Sequence, residues 1–460
     1  MEGFRNFPHT TTSQNPIPRE SPSDQSLEAA FSRLNVSPFS HPPQFSGGDY
    51  SNGSVPKYPL HHHTTVGGNE LLPVAFLAGD YESQDRIFGH MNMGVGDCWA
   101  DSDTDHGSGG FGSNLHKPFD IGPNWSQEPL NSLSVADLSG KIASLAKDQY
   151  GCRFFQRALE VEPKEFIDLI FSEVLQHVAH LMLDPYGNYV IQKLVEVCSE
   201  DQRTQILLLW TKNPFLFVTL CLHCRGTRSV QKLLKNITTQ EQISLFMTAL
   251  SCGAADLSMN VNGQHIMEYC LKNFSDEHKR CLLNVVIDNC IVIAKDKVGC
   301  CVLQQCVDYC CGETKGRLIA EIIGEALVLA QDRYGNYVLQ HLLGLRTPQV
   351  TSILLRQLQG NYMFLSCSKY GSNVVEKCLL ESGEEQSAEI IKELCRSPNI
   401  SMLLTHPFGN YVFQTALSVS KQGLAHSVLL NFVQHHTPSL LSNQYGKRVL
   451  AWRDRSLRRM

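Results

Sequence analysis

Three times along this chain an asparagine, a tyrosine and a glutamine recur at offsets of zero, one and four: Asn188, Tyr189 and Gln192; Asn336, Tyr337 and Gln340; Asn410, Tyr411 and Gln414. On a helix of roughly 3.6 residues per turn these offsets fall within about 100 degrees of arc, so the three side chains share a face. Val190 and Ile191, between them, turn inward. A core helix would carry only packing residues there. An amide presents a donor and an acceptor, which matches the pairing edge of an uncovered nucleobase, and an aromatic ring offers a stacking platform. Such stacking is worth about 1–3 kcal/mol per base. A lone tyrosine at such a place would be read as a packing aromatic; three identical settings with matching amides argue against it.

The elements that must hold these trios repeat with them. Each trio follows a glycine, and the glycine recurs at Gly151, Gly187, Gly226, Gly263, Gly299, Gly335, Gly371, Gly409 and Gly446, with gaps of 36 to 39 residues. A period of that size predicts a stacked solenoid in which no single repeat buries its apolar face alone. Within one unit, Val190, Ile191, Leu194 and Val195 keep helical spacing after Gly187, and Ile206 to Leu209 mark a further helix. Glycine is expected to supply a tight turn into its helix, with Asn, Ser, Thr or Cys just after it as the cap.

At the other units the residues after the glycine are Cys152, Arg153 and Gln156; Thr227, Arg228 and Gln231; Gln264, His265 and Glu268; Cys300, Cys301 and Gln304; and Ser372, Asn373 and Glu376. With these residues in place the chain resembles the Pumilio (PUF) family of RNA-binding repeat proteins over eight repeats and a C-terminal cap. The resemblance implies an all-α fold: a right-handed superhelical solenoid, a crescent of eight three-helix Pumilio repeats with flanking cap repeats. It also implies single-stranded RNA bound antiparallel along the concave face, one base per repeat.

Carried over residue by residue, the three Asn, Tyr and Gln trios look like uracil readers. Ser372, Asn373 and Glu376 look like the guanine reader, and a carboxylate does accept from both donors on guanine's pairing edge. Cys152, Arg153 and Gln156, like Thr227, Arg228 and Gln231, look like adenine readers with a guanidinium stacking in tyrosine's place. Two repeats depart from the pattern. Cys300 and Gln304 fit adenine, but Cys301 stands where a stacking Arg or Tyr is expected. Gln264, His265 and Glu268 replace the usual Asn, His and Gln, which leaves that base unassigned. The inferred target is UGUANAUA. The ninth unit, Lys447, Arg448 and Ala451, lacks the amide or carboxylate and suits a terminal cap.

By resemblance, the function expected is binding of messenger 3′ untranslated regions and lowering of translation or message stability, with decay or repression factors on the convex face. Two other readings stay open: a protein-binding solenoid of the armadillo or HEAT type, and an rRNA-processing member of the same family. Readable trios and an acidic extension favour the messenger. The sequence offers no phosphate-cradling glycine loop, nucleophile elbow or recurring carboxylate pair, so no enzyme, cofactor, metal or small-molecule substrate is expected.

Composition sets the remaining bounds. The 460 residues are 42% hydrophobic and 18% charged, enough core for one long domain or two to three compact ones. Residues 1–120 are rich in Pro, Ser, Gly, Asn and His clusters and are expected to be disordered, with residues 121–460 as the repeat domain. Through Leu130 the chain carries 6 basic and 15 acidic residues, leaving 33 and 30 beyond it. Affinity for RNA should therefore depend only mildly on salt. His61 to His63 read as a polar tract, and Leu71 to Ala78 is either a partner-binding motif or a chance apolar patch.

The 17 cysteines are an odd number, read as reduced, buried thiols of an intracellular protein. Cys221 and Cys224 have the spacing of half a zinc site, but no second pair follows, so buried helical thiols are expected. The vicinal pairs Cys300 with Cys301 and Cys310 with Cys311 also read as structural. Met1 to Gln25 shows no targeting pattern and no run of about 18 apolar residues occurs, so cytoplasmic location without membrane contact is expected.

Overall fold

The computed structural model describes residues 138–457 apart from 162, 421 and 422. The boundary at 120, the histidine tract and the Leu71 to Ala78 segment lie outside the described residues. Those described form an all-α solenoid, and no strand occurs among them.

Each repeat is a short helix, a second helix that carries the glycine at or near its start, and a third helix. In the second repeat these are Val178–Leu183, Gly187–Val197 and Glu200–Thr211; in the sixth, Ala326–Gln331, Gly335–Gly344 and Pro348–Leu358. Eight such units are followed by a two-helix cap, Thr437–Ser442 and Gln444–Leu457. Glycine-led helices pack on one another in an unbroken row from Gln149–Val161 to Gln444–Leu457, and third helices form a second row. One apolar core runs between the rows from Leu138 to Leu450, so each repeat buries its face against its neighbours.

Lys164–Leu183 is long and apolar enough, at mean hydropathy 1.3, to cross a membrane by composition alone. It is helix in three successive segments whose Phe166, Ile170, Phe171, Val174, Val178, Leu181 and Met182 are buried in this core.

Two local devices set the stacking. The third helices of repeats two and three begin with capping boxes, Ser199 with Gln202 and Thr239 with Gln242. The same glutamines also reach back to the preceding repeat: Gln202 Nε2 donates to Asp168 Oδ1 at 2.7 Å, and Gln242 Nε2 to Thr204 Oγ1 at 2.8 Å. One side chain thus satisfies a helix terminus and ties two repeats together.

The second device corrects the expected role of the repeat glycine. None of the nine has a positive φ; among the described residues the glycines that do are Gly140, Gly312, Gly360 and Gly423. What the position requires is close approach. A Cβ on Gly151, Gly226 or Gly299 would stand 2.2 to 2.4 Å from the carbonyl oxygen of Leu145, Leu220 or Ile293 on the short helix before it. The cap is not the residue after the glycine either. It lies three positions before: Asp184 Oδ1 accepts from the N–H groups of Tyr186 at 2.9 Å and Gly187 at 2.8 Å. Asp148, His223, Asn260, Asp296, Asp332, Ser368, His406 and Asn443 accept from their own glycine N–H in the same way.

The thiols also differ from expectation. All sixteen described cysteines are free and nine are buried, but Cys224, Cys252, Cys301 and Cys311 are exposed. Cys224 lies beyond the end of helix Pro214–Leu222, so Cys221 and Cys224 are not a pair of buried helical thiols. Cys301 and Cys311 face solvent because each follows a buried cysteine on a helix or at its entry, where the next position turns outward.

Candidate nucleic-acid interface

The capping side chain aims each glycine-led helix, and the first two turns of that helix carry the trio. Depth within the trio is graded. The residue after the glycine is buried in seven of eight repeats: Cys152, Asn188, Thr227, Cys300, Asn336, Ser372 and Asn410. The next one is exposed in the same seven: Arg153, Tyr189, Arg228, Cys301, Tyr337, Asn373 and Tyr411. The third member sits between, with Gln156, Gln192, Gln304, Gln340, Glu376 and Gln414 half-buried and Gln231 and Glu268 buried. In the fourth repeat Gln264 and His265 are both half-buried.

This grading separates the two amides that the sequence had made equivalent. Asn188 Nδ2 donates to the carbonyls of Asp184 at 2.8 Å and Pro185 at 3.1 Å, and its Oδ1 accepts from Gln192 Nε2 at 2.9 Å. Asn336 makes the same bonds to Asp332, Arg333 and Gln340, and Asn410 to His406, Pro407 and Gln414. The asparagine is thus spent on the helix entry and on aiming the glutamine. Gln192 and Gln340 keep the carbonyl oxygen and one N–H, an acceptor beside a donor, while Gln414 Nε2 also donates to the Asn410 carbonyl at 3.1 Å. Tyrosine, 42% to 52% exposed, stands next to each glutamine.

In the seventh repeat the carboxylate of Glu376 accepts from Thr415 Oγ1 of the next repeat at 2.9 Å. Burial pushes its pKa above the ordinary carboxylate value, which the Thr415 hydroxyl only partly offsets. In the fourth repeat Glu268, 9% exposed, is instead paired with Lys272 one turn on, Oε1 to Nζ 2.5 Å. Gln264 Nε2 donates to the Val261 carbonyl at 3.2 Å. In the fifth repeat Gln304 Nε2 donates to the Cys300 carbonyl at 3.1 Å, and in the first, Gln156 Nε2 bonds Cys152 Sγ at 3.1 Å.

Sequence reasoning missed three participants. Thr415 carries no signal beyond its place one residue after Gln414. Arg448 of the cap donates through Nη1 to the Tyr411 hydroxyl at 2.7 Å, so the ninth unit does more than close the core. Asp184 and its equivalents could have been found as the polar residue three before each glycine.

The chain matches the Pumilio-family RNA binding repeat eight times, over residues 141–175, 177–208, 217–247, 254–287, 289–323, 326–358, 361–395 and 399–422. Among relatives, Pumilio homolog 12 of Arabidopsis thaliana is 43% identical over 71% of this chain and 55% of its own length. Putative pumilio homolog 8, chloroplastic, of the same plant is 38% identical over 80% of this chain and 70% of its own. Against several of these relatives the chain spans only about half of their length. Among solved structures, the Puf4 RNA binding domain bound to the HO endonuclease RNA 3′ UTR recognition sequence is similar, with TM-score 0.59 and 33% identity over 68% of this chain and 98% of that one. The RNA-binding domain of yeast Puf5p bound to MFA2 RNA has TM-score 0.63 and 25% identity over 73% of this chain and 99% of that one. Eight repeat matches in the register of the first eight glycines, on a solenoid whose repeats carry the trios on one row of helices, place the chain in the Pumilio family of RNA-binding repeat proteins.

Proposed function

We propose that this protein binds single-stranded RNA sequence-specifically through the eight trios, recognises UGUANAUA-like elements in messenger 3′ untranslated regions, and in the cytoplasm lowers translation or message stability. The observation that carries the reading is the thrice-repeated hydrogen bond donated by Gln to Asn beside an exposed tyrosine. An amide held so that an acceptor and a donor stand side by side matches the N3–H and a carbonyl of uracil. Packing alone does not require the same polar pair in three repeats.

Each role follows from depth. The half-buried third member meets the base edge. The second member, exposed at Tyr189, Tyr337, Tyr411, Arg153, Arg228, Cys301 and Asn373 and half-buried at His265, lies against the base face. The buried asparagine orients the glutamine in the second, sixth and eighth repeats, and the first member sets how much room the base has: small at Cys152, Thr227 and Cys300, where a purine must fit. Glu376 accepts from both guanine donors, a charge-assisted contact that an amide cannot reproduce. The chemistry is non-catalytic, and decay or repression factors would dock on the side of the solenoid away from the trios.

The test is a fluorescence-anisotropy titration of the full chain with UGUANAUA against the same octamer with UGU changed to ACA. At about 1–3 kcal/mol per mismatched base, the matched RNA should bind at least about a hundredfold more tightly. Equal binding would mean that the trios do not read bases, and the protein-binding solenoid would take this reading's place.

A further inference from the structure

The fourth and seventh repeats both carry a carboxylate five residues after the glycine, Glu268 and Glu376, and the two are held differently. Four residues beyond Glu376 is Leu380, exposed and apolar. Among the described residues Glu376 therefore has no ammonium one turn on, and the Thr415 hydroxyl is its donor. Four residues beyond Glu268 is Lys272, whose ammonium is 2.5 Å from Oε1. Lys272 also stands 5.8 Å from the centre of the Tyr309 ring in the next repeat, which keeps it against the reader row.

We infer that Lys272 is a specificity-determining residue, neutralising Glu268 so that the fourth repeat accepts any base. This rests on the trios being base readers. Guanine selection by a carboxylate depends on two things: an oxygen for each of the donors N1–H and N2–H, and the negative charge that makes those bonds stronger than an amide's. The ion pair removes the second: with the ammonium on Oε1 the pair as a whole is neutral. What remains for the base is the weaker acceptor capacity of a neutralised carboxylate, and every nucleobase has at least one N–H on its pairing edge that can reach it. Gln264 gives one of its two Nε2 N–H groups to the Val261 carbonyl.

Lys272 is a positioning residue here, acting through Glu268. Its removal should therefore change which base is chosen, beyond any change in how tightly RNA is held. The experiment measures binding of the full chain to the four octamers UGUANAUA with N as A, C, G or U, alongside the octamer with UGU changed to ACA. The proteins are wild type, Lys272→Met, Lys272→Arg, and Lys272→Met combined with Glu268→Gln. Because Gln264 is bulkier than Ser372, Lys272→Met is also compared in a Gln264→Ser background with Gln264→Ser alone.

Wild type should bind the four octamers within about threefold of one another, and Lys272→Met should favour guanine by about tenfold in one or both backgrounds. Lys272→Arg should stay permissive, and Glu268→Gln should abolish the gain. A guanine preference that Lys272→Met moves in neither background, or that persists without Glu268, overturns the role of Lys272 while the UGU contrast still stands. A wild type that ignores the UGU change overturns the base-reading itself, and the role of Lys272 falls with it. Lys272 is exposed at the helix surface, and thermal melts of each variant separate a change of preference from a loss of fold.

Discussion

Glu376 has little to hold its charge: burial raises its pKa, and one hydroxyl from Thr415 offsets only part of that cost. The proton and guanine compete for the same oxygens. Protonation should begin at higher pH than for an ordinary glutamate near about 4.3, so lowering the pH from neutral should weaken binding of UGUANAUA already above the ordinary glutamate range. Stability moves in the opposite direction. A carboxyl whose pKa is raised by folding binds its proton more tightly when native, so its contribution improves as pH falls through the raised value. Anisotropy titrations between pH 7.5 and 5 should show a loss of affinity in wild type that Glu376→Gln lacks; parallel profiles would show that Glu376 does not contact the base in its ionised form. The register of Glu376 was legible in the sequence, because glycine spacing alone aligns it with the glutamines. Its environment was not, since Thr415 belongs to the next repeat. The asparagines show the same limit: an arc of about 100 degrees places Asn188 on the face of Tyr189, but arc says nothing of depth, and the carbonyls of Asp184 and Pro185 claim its amide.

A glycine-led helix begins where two helices come within backbone contact, and the nine glycines are not equally constrained. On Gly299 an added Cβ would lie 2.3 Å from the Ile293 carbonyl oxygen, a backbone atom that cannot yield without moving the short helix. On Gly187 the nearest atom is Leu181 Cδ2 at 2.8 Å, the far end of a flexible side chain. Alanine gains up to about 1 kcal/mol of helix propensity over glycine at either place, against an overpacking cost of about 1–3 kcal/mol. Gly299→Ala should therefore lower the urea midpoint clearly, and Gly187→Ala by less or not at all. Equal losses would mean that conformational freedom, not approach, is what the glycine supplies. The period of these glycines was fully legible and disclosed the fold, whereas their purpose was misjudged. Turn and close approach leave the same letter in a sequence, and only φ and the distance to the preceding carbonyl tell them apart.

At the scale of the whole solenoid, every repeat has two neighbours except at the ends, and the C-terminal end depends on helix Gln444–Leu457. That helix packs against Gly409–Ser420 with Val449 and Leu450 buried, and Arg448 holds the Tyr411 hydroxyl. Each large apolar side chain uncovered by its loss costs about 1.5–3 kcal/mol. In a stack stabilised by nearest-neighbour interfaces this cost falls on the eighth repeat first. A chain ending at Asn443 should lose amide hydrogen-exchange protection across Gly409–Ser420 while Gly263–Asn273, four repeats away, keeps its own. Binding should weaken most at the first uracil, which Tyr411 and Gln414 would read, because Tyr411 loses both its anchor and its packed helix. Uniform loss of protection in every repeat would instead show that the solenoid unfolds as one unit. In that case Arg448 matters to the base reader only through global stability, and its hydrogen bond to Tyr411 is incidental to binding.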